Sequence, residues 1–108
     1  MEKDIFCRII QGEVESEFLF EDEDLVVLKD IAPKAPVHYL VISKKHISTI
    51  NDATEEDSEL LGKMTLAAKR TAKETGIEEG YKLVYNVGER GGQEVLHIHL
   101  HVLGGWNK

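Results

Sequence analysis

The 108-residue sequence has a single cysteine, Cys7, so no disulfide framework can form within the chain. No apolar run approaches the ~18 residues that would suggest a membrane span. No basic run is longer than Lys44-Lys45-His46, and 13 Lys+Arg stand against 20 Asp+Glu, a net charge of −7. Neutralising nucleic-acid phosphates needs clustered Lys and Arg, so non-specific nucleic-acid binding by a basic face is not expected. The first residues, Met1-Glu2-Lys3-Asp4, lack the charged-then-apolar design of a signal peptide. There are only two prolines, Pro33 and Pro36, and no repeat or low-complexity stretch. What is present is 42% apolar residues. That suffices for one core and one domain over residues 1–108, with an expected radius of gyration of roughly 13 Å. An acidic domain of a reducing compartment, the cytoplasm, is the expectation.

Ile5, Phe6, Ile9 and Ile10 have the spacing of one short helix within Asp4–Gly12, closing at Gly12. Phe18–Phe20 and Leu25–Leu28 are short apolar runs split by the acidic Glu21–Asp24, the pattern of a hairpin. Both prolines stiffen the loop Ile31–Val37, and His38–Ile42 reads as a third strand. Thr54 is a good N-cap, and Asp57 three residues on makes a capping-box variant. Acidic residues crowd the first turns of the helix that follows, and Lys69, Arg70 and Lys73 its last, complementing its dipole. Leu60, Leu61, Met64, Ala67, Ala68 and Ala72 form its apolar stripe, and Gly76 fits its C-terminal stop. Strand Tyr81–Val87, turn Gly88–Gly92 and strand Glu94–Leu103 complete the chain. The order α-β-β-β-α-β-β predicts an α+β domain, an antiparallel sheet with its helices on one side.

Three of the five histidines fall in His97-Ile98-His99-Leu100-His101. In a strand, alternate side chains share a face, so His97, His99 and His101 would project together while Ile98, Leu100 and Val102 pack behind. Three readings stand side by side: a half-exposed strand with polar residues, a metal site built on a His-x-His pair, and phosphoryl chemistry. Neutral imidazole is nucleophilic near pH 7, and a neighbouring ring can hold a phosphate. The loop Asn86–Gln93 is rich in glycine, which lets backbone N–H groups approach an anion. A hairpin turn is the default for such a loop, but this one runs directly into the histidines. Asp30 ends a strand, where a carboxylate can accept ribose hydroxyls or simply be solvated. His38 opens a strand, and a lone histidine there is usually structural.

His97–Leu103 followed by Gly104-Gly105 resembles the histidine-triad signature His-φ-His-φ-His-φ-φ, where φ is apolar. Ile5–Glu13, Asp30–Pro33, His38–Ile42, Lys44–Ile47 and Gly91-Gly92-Gln93 extend the likeness over nearly the whole chain. They resemble the nucleotide-binding, purine nucleoside phosphoramidase branch of that family. The resemblance implies a five-stranded antiparallel sheet with one long and one short helix, dimerising into a ten-stranded sheet. It implies hydrolysis of nucleoside 5′-phosphoramidates through a nucleotidyl-histidine. His99 would be the nucleophile, His101 would hydrogen-bond the phosphate, His97 would support His99 from behind, and His38 would join the network. Asp30 would bind the ribose. Phe6, Ile9, Leu28, Ile31 and Leu40 would wall the base pocket. Asn86 and the Gly92 backbone would touch the phosphate region, with Glu94 and Val95 beside them. The implied partners are a purine nucleotide resembling AMP or GMP and a second copy of the chain, with no nucleic acid and no membrane.

Three departures qualify the likeness. Glu94 stands two residues short of the triad, where the best-known animal members carry a serine; a carboxyl there bears on leaving-group preference. Some bacterial relatives hold structural zinc at positions matching Asp4, Cys7, His46 and His97, and Asp4 replaces a cysteine of that set. Aspartate also ligates zinc, so a mixed structural site is an expectation, while catalysis is expected to need no cofactor. Only Trp106, Asn107 and Lys108 follow Gly105, whereas the animal relatives run on into a tail near the partner's active site. The alternatives to the phosphoramidase reading are a dinucleoside polyphosphate hydrolase, a nucleotide-binding interaction module with incidental catalysis, and a zinc-storage protein.

Overall fold

A computed structural model describes residues 4–107. Its antiparallel sheet comprises β1 (Phe18–Glu21), β2 (Leu25–Lys29), β3 (Val37–Ser43), β4 (Tyr81–Val84) and β5 (His99–Gly104), laid side by side as β1-β2-β3-β5-β4. The helices are α1 (Ile5–Ile10) and α2 (Ser58–Glu74), and single 3-10 turns lie at Ile50–Asp52, Glu55–Asp57 and Glu89–Gly91. The expected element order and the five-stranded antiparallel sheet are both found.

The two helices cover opposite faces of the sheet, not one side as the sequence suggested. Leu25, Val27, Val41, Leu100 and Val102 point to α2, against Met64, Ala68 and Ala72. Val26, Leu28, Leu40 and Ile42 point the other way, where Phe6 and Ile9 of α1 cover them. Central strands buried on both faces show continuous apolar runs, which hide the alternation that would separate the faces. A register shift between Phe18 and Phe20 sends those two rings to opposite sides.

Helix ends follow local chemistry. Asp4 caps α1 by accepting from the Cys7 N–H at 2.7 Å. The Thr54–Asp57 capping box forms, but it opens the 3-10 turn Glu55–Asp57, and α2 begins after it at Ser58. At the other end Gly76 takes φ +79°, Gly76 N–H donates to Lys73 O and Ile77 N–H donates to Ala72 O. That pair of hydrogen bonds closes the helix and buries Ile77 against the α2 core.

Strand boundaries differ from expectation near the glycine loop. β4 stops at Val84 and β5 starts at His99, not at Glu94. The His97 N–H turns back to Val95 O at 2.9 Å, so the backbone is bent there and the ladder starts two residues later. The radius of gyration is 13.4 Å. Among the described residues no helix is long and apolar enough to cross a membrane.

Candidate active site

The α1 face of the sheet carries the histidines. His38 on β3 and His99 and His101 on β5 share this face, in register with Leu103, Ile42 and Leu40 respectively. His97 lies on the same α1 side, its ring meeting Phe6 edge-on with centroids 5.9 Å apart, but it sits deeper than His99 and His101. It precedes the strand, its ring is fully buried, and its Nε2 lies 2.6 Å from Ser43 O. Support for His99 comes instead from the His97 backbone, whose carbonyl lies 2.7 Å from His99 Nδ1. The Phe6 ring meets His99 edge-on, with centroids 5.0 Å apart.

Backbone groups fix where the protons sit. A carbonyl only accepts, so His99 Nδ1 carries the hydrogen and its Nε2 keeps a free lone pair. The Lys34 N–H only donates, and it reaches His38 Nδ1 at 3.0 Å. His38 Nδ1 is therefore bare and His38 Nε2 carries the hydrogen. That Nε2 lies 2.8 Å from His101 Nδ1. His101 accepts there, so its own Nε2 presents an N–H. One ring offers a nucleophilic nitrogen and its neighbour a donor, with ring centroids 4.9 Å apart.

Electrostatics agrees with neutral rings. Burial holds His99 below its ordinary value, against the opposing pull of the His97 carbonyl. Burial likewise lowers His38, with nearby Asp30 opposing. His101 is pushed down to about 4 by burial and then by its neighbours His99 and His38. Asp30 Oδ1 accepts from Ala32 N–H at 2.8 Å, and its Oδ2 lies 3.4 Å from His38 Nε2.

A second cluster lies behind the first. Asp4 and Cys7 from the start of α1, His46 from the loop after β3, and His97 bring four ligand atoms within 4.8 Å of one another. Asp4 Oδ2 is 3.0 Å from His46 Nε2 and 3.1 Å from His97 Nδ1, and Cys7 Sγ is 3.5 Å from His97 Nδ1. Ligands at tetrahedral zinc distances lie roughly 3.3–3.6 Å apart, so the spacing needs only small adjustment. Ser43 O occupies His97 Nε2 and leaves Nδ1 to face the cluster, the usual outer partner of a metal-bound imidazole. The donor set thus fits zinc. Burial raises the Asp4 carboxyl, but the Cys7 N–H and the charge of His97 outweigh it and hold that carboxyl low.

Asp30, His38 and His101 also lie close enough to hold a metal ion. A metal on His38 Nε2 would move the hydrogen to Nδ1, where it would meet the Lys34 N–H. The geometry there favours a shared proton.

The glycine loop is braced from within. Gly88 and Gly92 take φ +74° and +86°, conformations L side chains rarely adopt. Asn86 Nδ2 donates to Gly91 O at 2.9 Å. Gln93, passed over in the sequence as a site residue, is the clamp. Its buried amide accepts from Gly88 N–H at 2.8 Å and donates to Ser48 O at 2.6 Å and Val95 O at 3.0 Å. One side chain ties the glycine loop, the segment after β3 and the approach to the triad. Gln93 directly after two glycines was the available signal.

Phe6, Ile9, Leu28, Leu40 and Val95 gather in one cluster over the histidine face. Ile31 stands apart, fully exposed in the loop after β2, and Glu94 is exposed on the bend before His97.

A family model described as scavenger mRNA decapping enzyme C-terminal binding matches residues 3–107. The chain belongs to the histidine triad (HIT) family. A Chlamydia muridarum relative, described as an uncharacterized HIT-like protein, is 48% identical over 101 residues, 94% of this chain and 80% of that protein. The crystal structure of a HIT family hydrolase from Legionella pneumophila aligns with TM-score 0.94 and 51% identity over 97% of this chain and 95% of that one. A HIT family hydrolase from Clostridium thermocellum gives TM-score 0.94 and 41% identity over 99% and 94%. In the HIT sequence pattern the three histidines look equivalent. In this fold they divide, two facing the site and the first facing the Asp4 cluster.

Proposed function

We propose that this HIT protein hydrolyses nucleoside 5′-phosphoramidates to a nucleoside monophosphate and an amine. The observation that carries the reading is the pair of ring contacts, His99 Nδ1 on the His97 carbonyl and His101 Nδ1 on His38 Nε2, which assign a bare Nε2 to His99 beside an N–H of His101. In the first step the His99 Nε2 lone pair attacks the α-phosphorus and the P–N bond breaks. The amine leaves with its electron pair and takes up a proton from solvent, which the attacking water gives back in the second step. In the second, water attacks the same phosphorus, the P–Nε2 bond breaks, and His99 returns neutral. Dividing one displacement into two lowers each barrier, and a preset donor such as His101 stabilises the charge gathering on the phosphate oxygens.

In this proposal Phe6, Ile9, Leu28 and Leu40 wall a purine, the exposed Ile31 reaches it from the loop after β2, Asp30 holds the ribose, and the Asn86–Gly92 loop, with Val95 beyond it, approaches the phosphate. Glu94 faces the leaving group. Replacing it by serine should alter relative rates across a series of amines, and unchanged ratios would remove it from that role. Asp4, Cys7, His46 and His97 would hold a structural zinc ion, which ties α1 to the triad and takes no part in the reaction. Zinc readdition after metal-free purification should give one ion per chain by elemental analysis, and none would dismiss the site. The setting is cytoplasmic and reducing. A homodimer is part of the proposal: β4 is a sheet edge carrying the exposed Leu83, and edges of this kind invite pairing. A monomer mass by light scattering at micromolar concentration would contradict it.

The central test is AMP release from adenosine 5′-phosphoramidate by the native protein and by His99→Asn, with and without a chelator. Asparagine can still donate to the His97 carbonyl but has no Nε2. Fast release by the native protein alone supports the reading. No release by either moves the function to another phosphate substrate or to an interaction role.

A further inference from the structure

Asp30 serves two neighbours with one carboxylate. Its Oδ1 is held by the Ala32 N–H at 2.8 Å, which aims Oδ2 inward, 3.4 Å from His38 Nε2. His38 is 1% exposed and is gripped on its far side by the Lys34 N–H. We propose that Asp30 is a positioning residue for His101, acting through His38, in addition to its place against the ribose. This rests on the nucleotide reading above. One carboxylate then serves both the sugar and the phosphate donor.

The physical case is one of proton placement. His101 offers its Nε2–H to a phosphate only while its Nδ1 stays bare, and Nδ1 stays bare only while His38 points Nε2–H at it. Two groups hold His38 in that state. The Lys34 amide requires a bare Nδ1, and the Asp30 carboxylate favours hydrogen on Nε2. The 3.4 Å separation makes Asp30 a charge partner for that N–H, while His101 at 2.8 Å is its acceptor. Burial strengthens the effect, because no water competes for the His38 ring. Without the carboxylate the tautomer rests on one backbone hydrogen bond. His101 then spends part of its time with the hydrogen on Nδ1, facing His38 and useless to the phosphate.

Asp30→Asn is the sharp variant. Its side-chain oxygen can still accept from Ala32 N–H, so the turn survives, but an NH2 group replaces the oxygen that faces His38. Asp30→Ala is the second variant and removes both. Each would be assayed on a nucleoside 5′-phosphoramidate and on its 2′,3′-dideoxy counterpart. The dideoxy substrate has no hydroxyls for Asp30 to hold, so a pure sugar grip predicts equal kcat for native protein and variants. The positioning role predicts that kcat on the dideoxy substrate falls roughly five- to tenfold in both variants, the effect of losing one hydrogen-bonding partner. Nitrogen-15 shifts of the histidine rings give a readout that needs no substrate. The native protein should show His101 with bare Nδ1 and protonated Nε2, and the variants a mixture. Equal dideoxy kcat together with unchanged ring shifts would overturn the proposal. Should no phosphoramidate turn over at all, the nucleotide reading fails, and the ring shifts alone decide whether Asp30 sets the tautomer.

Discussion

The two faces of the sheet use the same strands for different ends. Toward α2, buried side chains are almost all aliphatic: Leu25, Val27, Val41, Met64, Leu100 and Val102. Toward α1, the alternate residues of β3 and β5 include His38, His99 and His101 among Leu40 and Ile42. Buried polar groups are costly unless every donor and acceptor is met. Here backbone groups meet them: the His97 carbonyl for His99, the Lys34 N–H for His38 and the Ser43 carbonyl for His97. No buried side-chain nitrogen or oxygen lacks a partner among the described residues. One face holds the fold together, and the other uses that rigidity to keep His38, His99 and His101 neutral and aimed.

Paired substitutions on the two faces should separate these duties. The largest expected effect is on the α1 face. His99→Asn should lower kcat by at least about 10⁴-fold, as removal of a covalent nucleophile does, while shifting stability by no more than about 1 kcal/mol. Single-turnover assays and urea unfolding would check both numbers. Met64→Ala on the α2 face should do the reverse. Met64 projects from α2 into the core and is wholly buried, so truncation should cost about 2–5 kcal/mol of stability through lost contacts and a cavity. Activity per folded molecule should stay near native below the unfolding transition. A His99→Asn protein that unfolds as readily as Met64→Ala would mean that the histidine face also carries the fold.

How much of this was legible beforehand depended on which face a residue served. The α2 face was readable: the stripe Leu60, Leu61, Met64, Ala67, Ala68 and Ala72 repeats with the helical period, and Gly76 marks its end. The histidines were readable as a cluster, because alternation along β5 sets His99 beside His101. What failed was non-local. Whether α1 lies on the same side as α2 depends on which of Val26 or Val27 faces it, and an unbroken apolar run cannot say. His97 looked like a third member of the row. A single hydrogen bond from its N–H to Val95 O turns it out of the strand, and no periodicity records that. The Lys34 and Ser43 contacts are made by backbone groups, which every residue possesses, so no side-chain pattern could have marked them.

The smallest expected effect is a pH dependence that belongs to one face only. The buried cluster under α2 is aliphatic, and burial pushes Tyr85, packed against it, above its ordinary value and out of this range, whereas His38, His99 and His101 are all held below their ordinary values by burial. Unfolding releases them to about 6.5. Between that value and the folded value of about 4 for His101, the unfolded chain binds more protons than the folded one. Stability therefore falls as pH drops through this window and levels off below it. The urea midpoint should decline steadily from about pH 7 to about pH 4.5. His101→Asn keeps an oxygen to accept from His38 Nε2–H but removes one titrating ring, so its midpoint should decline less over the same range. A native midpoint that stays flat would mean that the rings already carry their protons in the fold, and the bare Nδ1 of His101 would be lost as the basis for its role. A variant that declines as steeply as the native protein would shift the dependence to His38 and His99 and leave His101 a bystander.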